Sequence, residues 1–146
     1  MENDFIDDIA ENLFNVLPVI YKKLLRTDLQ SVSSSLSRPH VTVMGMLEEE
    51  KLPISEIARR MLVPKSQMTR LVDQLVSLDI VARQPDKKDR RVINISLTDN
   101  GESVLIECRE LIRHNIRDRI SHLTAAELGS LSKALSKLKA IEVKLE

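Results

Sequence analysis

The chain has 146 residues, 42% of them apolar and only 2% aromatic, with 22 basic and 22 acidic side chains, three glycines and one cysteine. Such a length supports one sizeable core, a lone cysteine excludes an intrachain disulfide and suits a reducing compartment, and zero net charge speaks against a nucleic-acid partner unless the charge is unevenly placed. With so few glycines, no phosphate-cradling loop and no nucleophile elbow, nothing points to an enzyme or to a bound cofactor.

From Asp4 to about Leu25, the residues Ile6, Ile9, Ala10, Leu13, Leu17, Ile20, Tyr21 and Leu24 form one stripe at helical spacing, which predicts a long amphipathic helix. Acidic residues crowd its start and Lys22, Lys23 and Arg26 its end, in keeping with the helix dipole. Pro18 lies inside it, so the helix either kinks there or is two pieces. Ser31 to Ser37 reads as a loop. Ser37 caps the next helix, Arg38 to about Glu50, which has Pro39 in its first turn and turns Val41, Met44 and Leu47 inward. Leu52 and Pro53 then form a brief extended stretch.

Ile54 to about Met61 is a short helix with Ile54, Ile57, Ala58 and Met61 on its apolar face. A second helix, Lys65 to Leu78, starts after Pro64 and buries Met68, Leu71, Val72, Leu75 and Val76. It leaves Lys65, Ser66, Gln67, Thr69, Arg70, Asp73 and Gln74 outward. Such a hydrogen-bonding, slightly cationic surface suits a helix reading base edges in a major groove, and taken alone it equally suits a solvated face. Ile80 to Ala82 begins a strand, and Arg91 to Leu97 alternates with Ile93, Ile95 and Leu97 on one face, so the pair makes a hairpin. Its connection, Pro85 to Arg91, carries Lys87, Lys88, Arg90 and Arg91 on a narrow projection able to reach phosphates or enter a minor groove. Asp89 is out of place beside DNA unless it orients Arg91 by a charge-assisted bond across the turn.

Thr98 caps a long helix with Val104, Leu105, Cys108, Leu111, Ile112, Ile116 and Ile120 on one broad face, where Cys108 reads as a small core hydrophobe rather than a redox sensor. The last helix opens with a capping box, Thr124 to Glu127, and continues with Leu128, Leu131, Leu135, Leu138, Ile141 and Leu145. Charge is uneven along this chain: between Arg59 and Arg91 nine cations stand against four anions, so the positive field is local. The elements make a mainly α fold with a small β-hairpin wing (α+β), a winged helix-turn-helix. Residues 37–98 are expected to form the DNA-binding domain, and 1–36 with 99–146 a helical dimerisation region.

The run resembles the MarR family of transcriptional regulators. The resemblance rests on Lys65 to Val72 as recognition helix, on the wing element Asp89-Arg90-Arg91 and on Leu97-Thr98-Asp99-Asn100-Gly101 leading into the next helix. Two positions depart from the family pattern. Leu62 stands in the turn where many members have glycine, and Asp79-Ile80 follows the recognition helix where glycine is usual. The resemblance implies a homodimer whose first and last two helices interleave, covering the aliphatic surface of the terminal helices. Its recognition helices would then meet successive major grooves of a palindromic double-stranded operator about 34 Å apart. Lys65 and Arg70 are expected on phosphate or guanine, Ser66, Gln67 and Thr69 on base edges, and Arg91 in the flanking minor groove, with Lys87, Lys88, Asp89 and Arg90 completing the wing. Repression is the default outcome of such a dimer lying on a promoter.

Regulators of this resemblance respond to small phenolic or anionic effectors bound between the dimer helices and the DNA-reading domain. Tyr21, Arg38 and His40 are the candidates here, each with an ordinary alternative as core-edge tyrosine, first-turn cap contact and exposed histidine. A zinc site built from His40, Cys108, His114 and His122 lacks any histidine pair at ligand spacing, so no metal is expected. No apolar run is long enough for a bilayer and no signal-peptide pattern opens the chain, which points to the cytoplasm and no membrane partner. Two other readings remain: a winged module that meets protein would show no salt-dependent duplex binding, and an architectural protein would bind duplex with little sequence preference.

Overall fold

The structure, a computed structural model, describes residues 2–145, so positions 1 and 146 of the expected helical region lie outside it. The chain divides into two compact units, Thr27–Ile112 and the pair of segments Met1–Arg26 and Arg113–Glu146.

The first unit is the winged helix-turn-helix expected from the sequence. Its elements are α2 (Arg38–Glu49), β1 (Leu52–Pro53), α3 (Ile54–Met61), α4 (Lys65–Ser77), β2 (Val81–Pro85), β3 (Ile93–Leu97) and the first two-thirds of α5 (Asp99–Ile120). Leu52 pairs with Ile95, and Val81 to Pro85 pair with Leu97 to Ile93, giving an antiparallel sheet in the order β1-β3-β2. Helical periodicity supplies the core: Val43 and Met44 from α2, Ile57 from α3, Met68, Val72 and Leu75 from α4, and Leu105 and Cys108 from α5 close around Ile80 and Ile95. Leu71 and Val76, expected with them, are only partly covered.

The hairpin differs from expectation at its outer end. Pro85 closes β2 instead of opening the loop, which an edge strand tolerates because its missing N–H leaves no ladder bond unmade. The second strand starts at Ile93, not Arg91, and Ile93 itself is 41% exposed although Ile95 on the same face is fully buried. Paired with Pro85, Ile93 lies where the hairpin runs out past the core, so alternation identified its face but not its cover.

Both departures from the family's glycines are left-handed residues. Leu62 has φ 54° and Asp79 φ 55°. At each, the helix ends with paired bonds from the next two N–H groups: Leu62 to Arg59 and Val63 to Ala58, then Asp79 to Val76 and Ile80 to Leu75. That closure requires positive φ whichever residue occupies the position. Asp tolerates it, whereas Leu62 adopts it with 91% of its surface exposed and so gains no burial in return.

The motif after β3 is a packing device. Thr98 donates its N–H to Ile80 O (3.0 Å) and its hydroxyl to Asp79 O (2.6 Å), and accepts the Gly101 N–H (2.9 Å) as helix cap. Gly101 sits so close to the Ile80 carbonyl that a Cβ there would be 2.1 Å from the oxygen. The turn after α4 is thereby fastened to the start of α5.

In the other unit, α1 (Glu2–Ile20) passes through Pro18 and widens into a π-helical turn, Tyr21–Leu25, closed by Arg26 N–H on Tyr21 O at 3.1 Å. The expected single helix is therefore continuous but changes pitch after Ile20, downstream of the proline whose missing N–H already interrupts the ladder. Arg119 donates to Leu24 O (2.9 Å), and α6 (Ala125–Glu142) begins with the expected capping box, Thr124 and Glu127 each bonding the other's backbone N–H. Among its described residues this unit buries none. Ile6, Leu13 and Phe14 of α1 and Leu135, Leu138 and Ile141 of α6 are all exposed.

Candidate nucleic-acid interface

The outer face of α4 carries Lys65, Ser66, Gln67 and Arg70, all exposed, at the end nearest the turn. Thr69 is half-buried and returns its hydroxyl to Lys65 O (2.9 Å). Asp73, one turn on, is held by Arg83 of β2. Pro64, the N-cap, offers no side-chain acceptor, and its carbonyl takes the Gln67 N–H (3.0 Å), which leaves the Lys65 and Ser66 N–H groups and the positive dipole end of α4 to face an anion.

The wing is organised by two aspartates. Asp86 accepts the N–H groups of Lys88 (2.9 Å) and Asp89 (3.0 Å) and the Asn94 amide (2.9 Å), and the Asp89 and Lys88 N–H bonds hold its carboxyl below the usual range. Asp89 accepts Nε (3.1 Å), Nη2 (3.2 Å) and the N–H (3.1 Å) of Arg91, whose side chain and backbone bonds lower its pKa. The orientation of Arg91 expected from the sequence is thus present, with the Arg91 side chain 91% exposed. Asp86, which folds the turn back, was not singled out, although an Asp two and three residues before unpaired N–H groups is an Asx-turn signal. Lys65 and Arg91 line one cleft of about 290 Å³ with Ser55 at the start of α3, so the recognition helix and the wing present their cations side by side.

Ion pairing narrows the positive field that the sequence count suggested. Glu56 binds both Arg59 and Arg60 at 2.8 Å, which draws its carboxyl down to about 2, and Glu50 takes Arg60 as well. Both acids lie just upstream of the span from Arg59 to Arg91 whose composition looks so positive. Among the described residues Lys65, Arg70, Lys87, Lys88 and Arg90 make no ion pair, and they lie on α4 and the wing.

Of the effector candidates, Arg38 and His40 share the first turn of α2, while Tyr21 belongs to the π-helical turn of the other unit and is half exposed. Arg38 Nη1 is buried with no hydrogen-bond partner among the described residues. His40 is not the exposed residue expected. It is 6% exposed, with Nδ1 on Ser37 and Nε2 on Gln74 of α4 (2.7 Å). Ser37-x-x-His40 has the spacing of a capping box, the signal that would have placed it. Cys108 is fully buried, and desolvation followed by the nearby Glu107 pushes its thiol pKa up, away from the reactive thiolate.

The MarR family model matches residues 34–92. The HTH-type transcriptional repressor MdtR of Bacillus subtilis (strain 168) is 32% identical over 137 residues, covering 90% of this chain and 86% of that protein. The chain belongs to the MarR family. Among solved structures, the YusO protein from Bacillus subtilis is 28% identical with a TM-score of 0.67, over 96% of this chain and 98% of that one. A mutant of Escherichia coli MarR complexed with operator DNA shares the fold, with a TM-score of 0.67 at 23% identity over 86% of this chain and 92% of that one. As a MarR-family member the chain is a DNA-binding helix-turn-helix transcriptional regulator and not an enzyme. None of its described helices is long and apolar enough to cross a membrane.

Proposed function

We propose that this MarR-family regulator is a repressor that grips a palindromic operator as a homodimer and is modulated by a small phenolic or anionic effector. The observation that carries the DNA-reading part is that α4 and the wing hold Lys65, Arg70, Lys87, Lys88 and Arg90 without an ion pair, next to the exposed Ser66 and Gln67. Lys65 and Arg70 contact phosphate or guanine, Ser66, Gln67 and Thr69 meet base edges, and Arg91, held by Asp89 and flanked by Lys87, Lys88 and Arg90, enters the minor groove. Repression is supported by the MdtR likeness, and DNA as partner by the operator complex of E. coli MarR.

Dimerisation is supported by the lack of a core in the unit formed by α1, α6 and the end of α5. Phe14 at 80% exposure and Leu135 at 57% are costly in water, at about 25 cal/mol per Å² of apolar surface, until a second copy covers them. An anionic effector is supported by the buried, unbonded Nη1 of Arg38, since a guanidinium N–H without an acceptor is a standing penalty that an anion relieves. His40, with both ring nitrogens engaged, contributes to such a site only by leaving Gln74.

Selection from a random duplex pool tests the reading: an enriched palindrome, bound by a species of twice the chain mass in sedimentation, is expected. Enrichment of no sequence, or a monomer at binding concentrations, overturns it.

A further inference from the structure

We infer that Gln74 is a further DNA-contacting residue of the recognition helix, and that His40 fixes its amide with the oxygen toward α2 and the NH₂ group outward. The inference rests on the DNA-reading role proposed above and adds to it a residue and a chemistry that the wet face of α4 alone does not define.

The Ser37 N–H can only donate, and it points at His40 Nδ1 at 3.1 Å. Nδ1 is therefore an acceptor without a proton, and the neutral ring carries its proton on Nε2. Nε2 lies 2.7 Å from Gln74 Oε1, so the ring donates to the amide oxygen. The Ser37 hydroxyl also lies 2.8 Å from Nδ1 and can only share that nitrogen's single lone pair with the N–H. With its oxygen taken inward, the Gln74 amide turns its NH₂ group away from α2.

Gln74 is exposed and lies seven residues after Gln67 and four after Arg70, which puts all three on one stripe of α4. A free glutamine offers one acceptor and two donors and pairs bidentately with adenine. While His40 holds one lone pair of its oxygen and draws it toward α2, Gln74 leads with its NH₂ group. That group fits acceptors on DNA: a phosphate oxygen, or the acceptor atoms of guanine or thymine in the major groove. Because the imidazole is buried and anchored by the cap of α2, the amide is fixed before DNA arrives and little side-chain freedom is lost on contact.

The test uses fluorescence titrations of the full-length protein with the duplex enriched by the wild type and with a scrambled duplex of equal length. Gln74→Ala should bind the enriched duplex about tenfold more weakly. Equal loss on both duplexes assigns the contact to phosphate, and a larger loss on the enriched duplex assigns it to a base edge. His40→Gln retains the capping-box acceptor at the third position of α2 but loses the bond to Gln74. It should weaken binding about threefold or more alone, and not at all in the Gln74→Ala background. Wild-type affinity in Gln74→Ala overturns the contact. An undiminished His40→Gln effect in that background, or a matching fall in melting temperature, overturns the relay and leaves His40 a fold residue. A wild type that enriches no duplex overturns the DNA-reading role itself, a result distinct from either.

Discussion

Replacing Gly101 by alanine sets helix propensity against a single close contact. Gly101 lies in the first turn of α5, where alanine is worth up to about 1 kcal/mol over glycine, so propensity predicts a more stable protein. The structure predicts the reverse. The new Cβ would lie 2.1 Å from Ile80 O and 2.8 Å from Leu97 Cδ1. The leucine methyl can rotate away, but the carbonyl is held by the Thr98 N–H at 3.0 Å. An ordinary C···O contact needs about 3.3 Å or more, so the start of α5 must back off by over ~1 Å from the turn that follows α4. Overpacking of this kind costs about 1–3 kcal/mol, and strained bonds from Thr98 to Asp79 and Ile80 add about 1 kcal/mol each. Net of propensity, Gly101→Ala should lose about 2–4 kcal/mol in urea denaturation followed by circular dichroism. Gly45→Ala, in mid-α2 with its nearest neighbour the end of Arg109 at 3.5 Å, should gain about 0.5–1 kcal/mol and serves as control. Were Gly101→Ala as stable as wild type, the account of the motif as a packing device would be wrong.

Arg91→Ala should weaken duplex binding at every sequence and flatten the dependence of log affinity on log salt by about one per subunit; an unchanged slope removes Arg91 from the DNA. Leu62→Asn should stabilise by about 0.5–1 kcal/mol, because asparagine tolerates φ 54° and the exposed leucine forfeits no burial; a loss of stability would mean that Leu62 packs against something. Glu56 makes stability pH-dependent in a defined direction. Its carboxyl falls from an ordinary 4.5 to about 2 in the fold, so the advantage of wild type over Glu56→Gln should be full above pH 4.5 and vanish as pH drops to about 2. An advantage that is flat across that window refutes the role assigned to Arg59 and Arg60.

The helices were legible because their apolar spacing is a local property. Met68, Val72 and Leu75 mark one face of α4 in any context, and the Thr124 to Glu127 cap is complete within four residues. The Asp89 to Arg91 pair was legible for the same reason, its partners being two residues apart. The departures come from distance and environment. Ile93 alternates correctly but lies beyond the cover of the core, and His40 looks like any polar first-turn residue until Gln74, thirty-four positions on, meets its ring. Arg59 and Arg60 counted as free cations until acids outside the counted span reached them.

What the residues alone determined is the order and faces of the helices, the hairpin with its basic tip, and the need for unusual backbone at Leu62 and Asp79, since periodicity, capping and handedness act over a few neighbours. What the tertiary structure decided is which charges remain unpaired, which way the Gln74 amide faces, and why Gly101 tolerates no side chain. Those depend on atoms brought together from remote parts of the chain, and hydrogen bonds, ion pairs and steric contacts act only across a few ångströms.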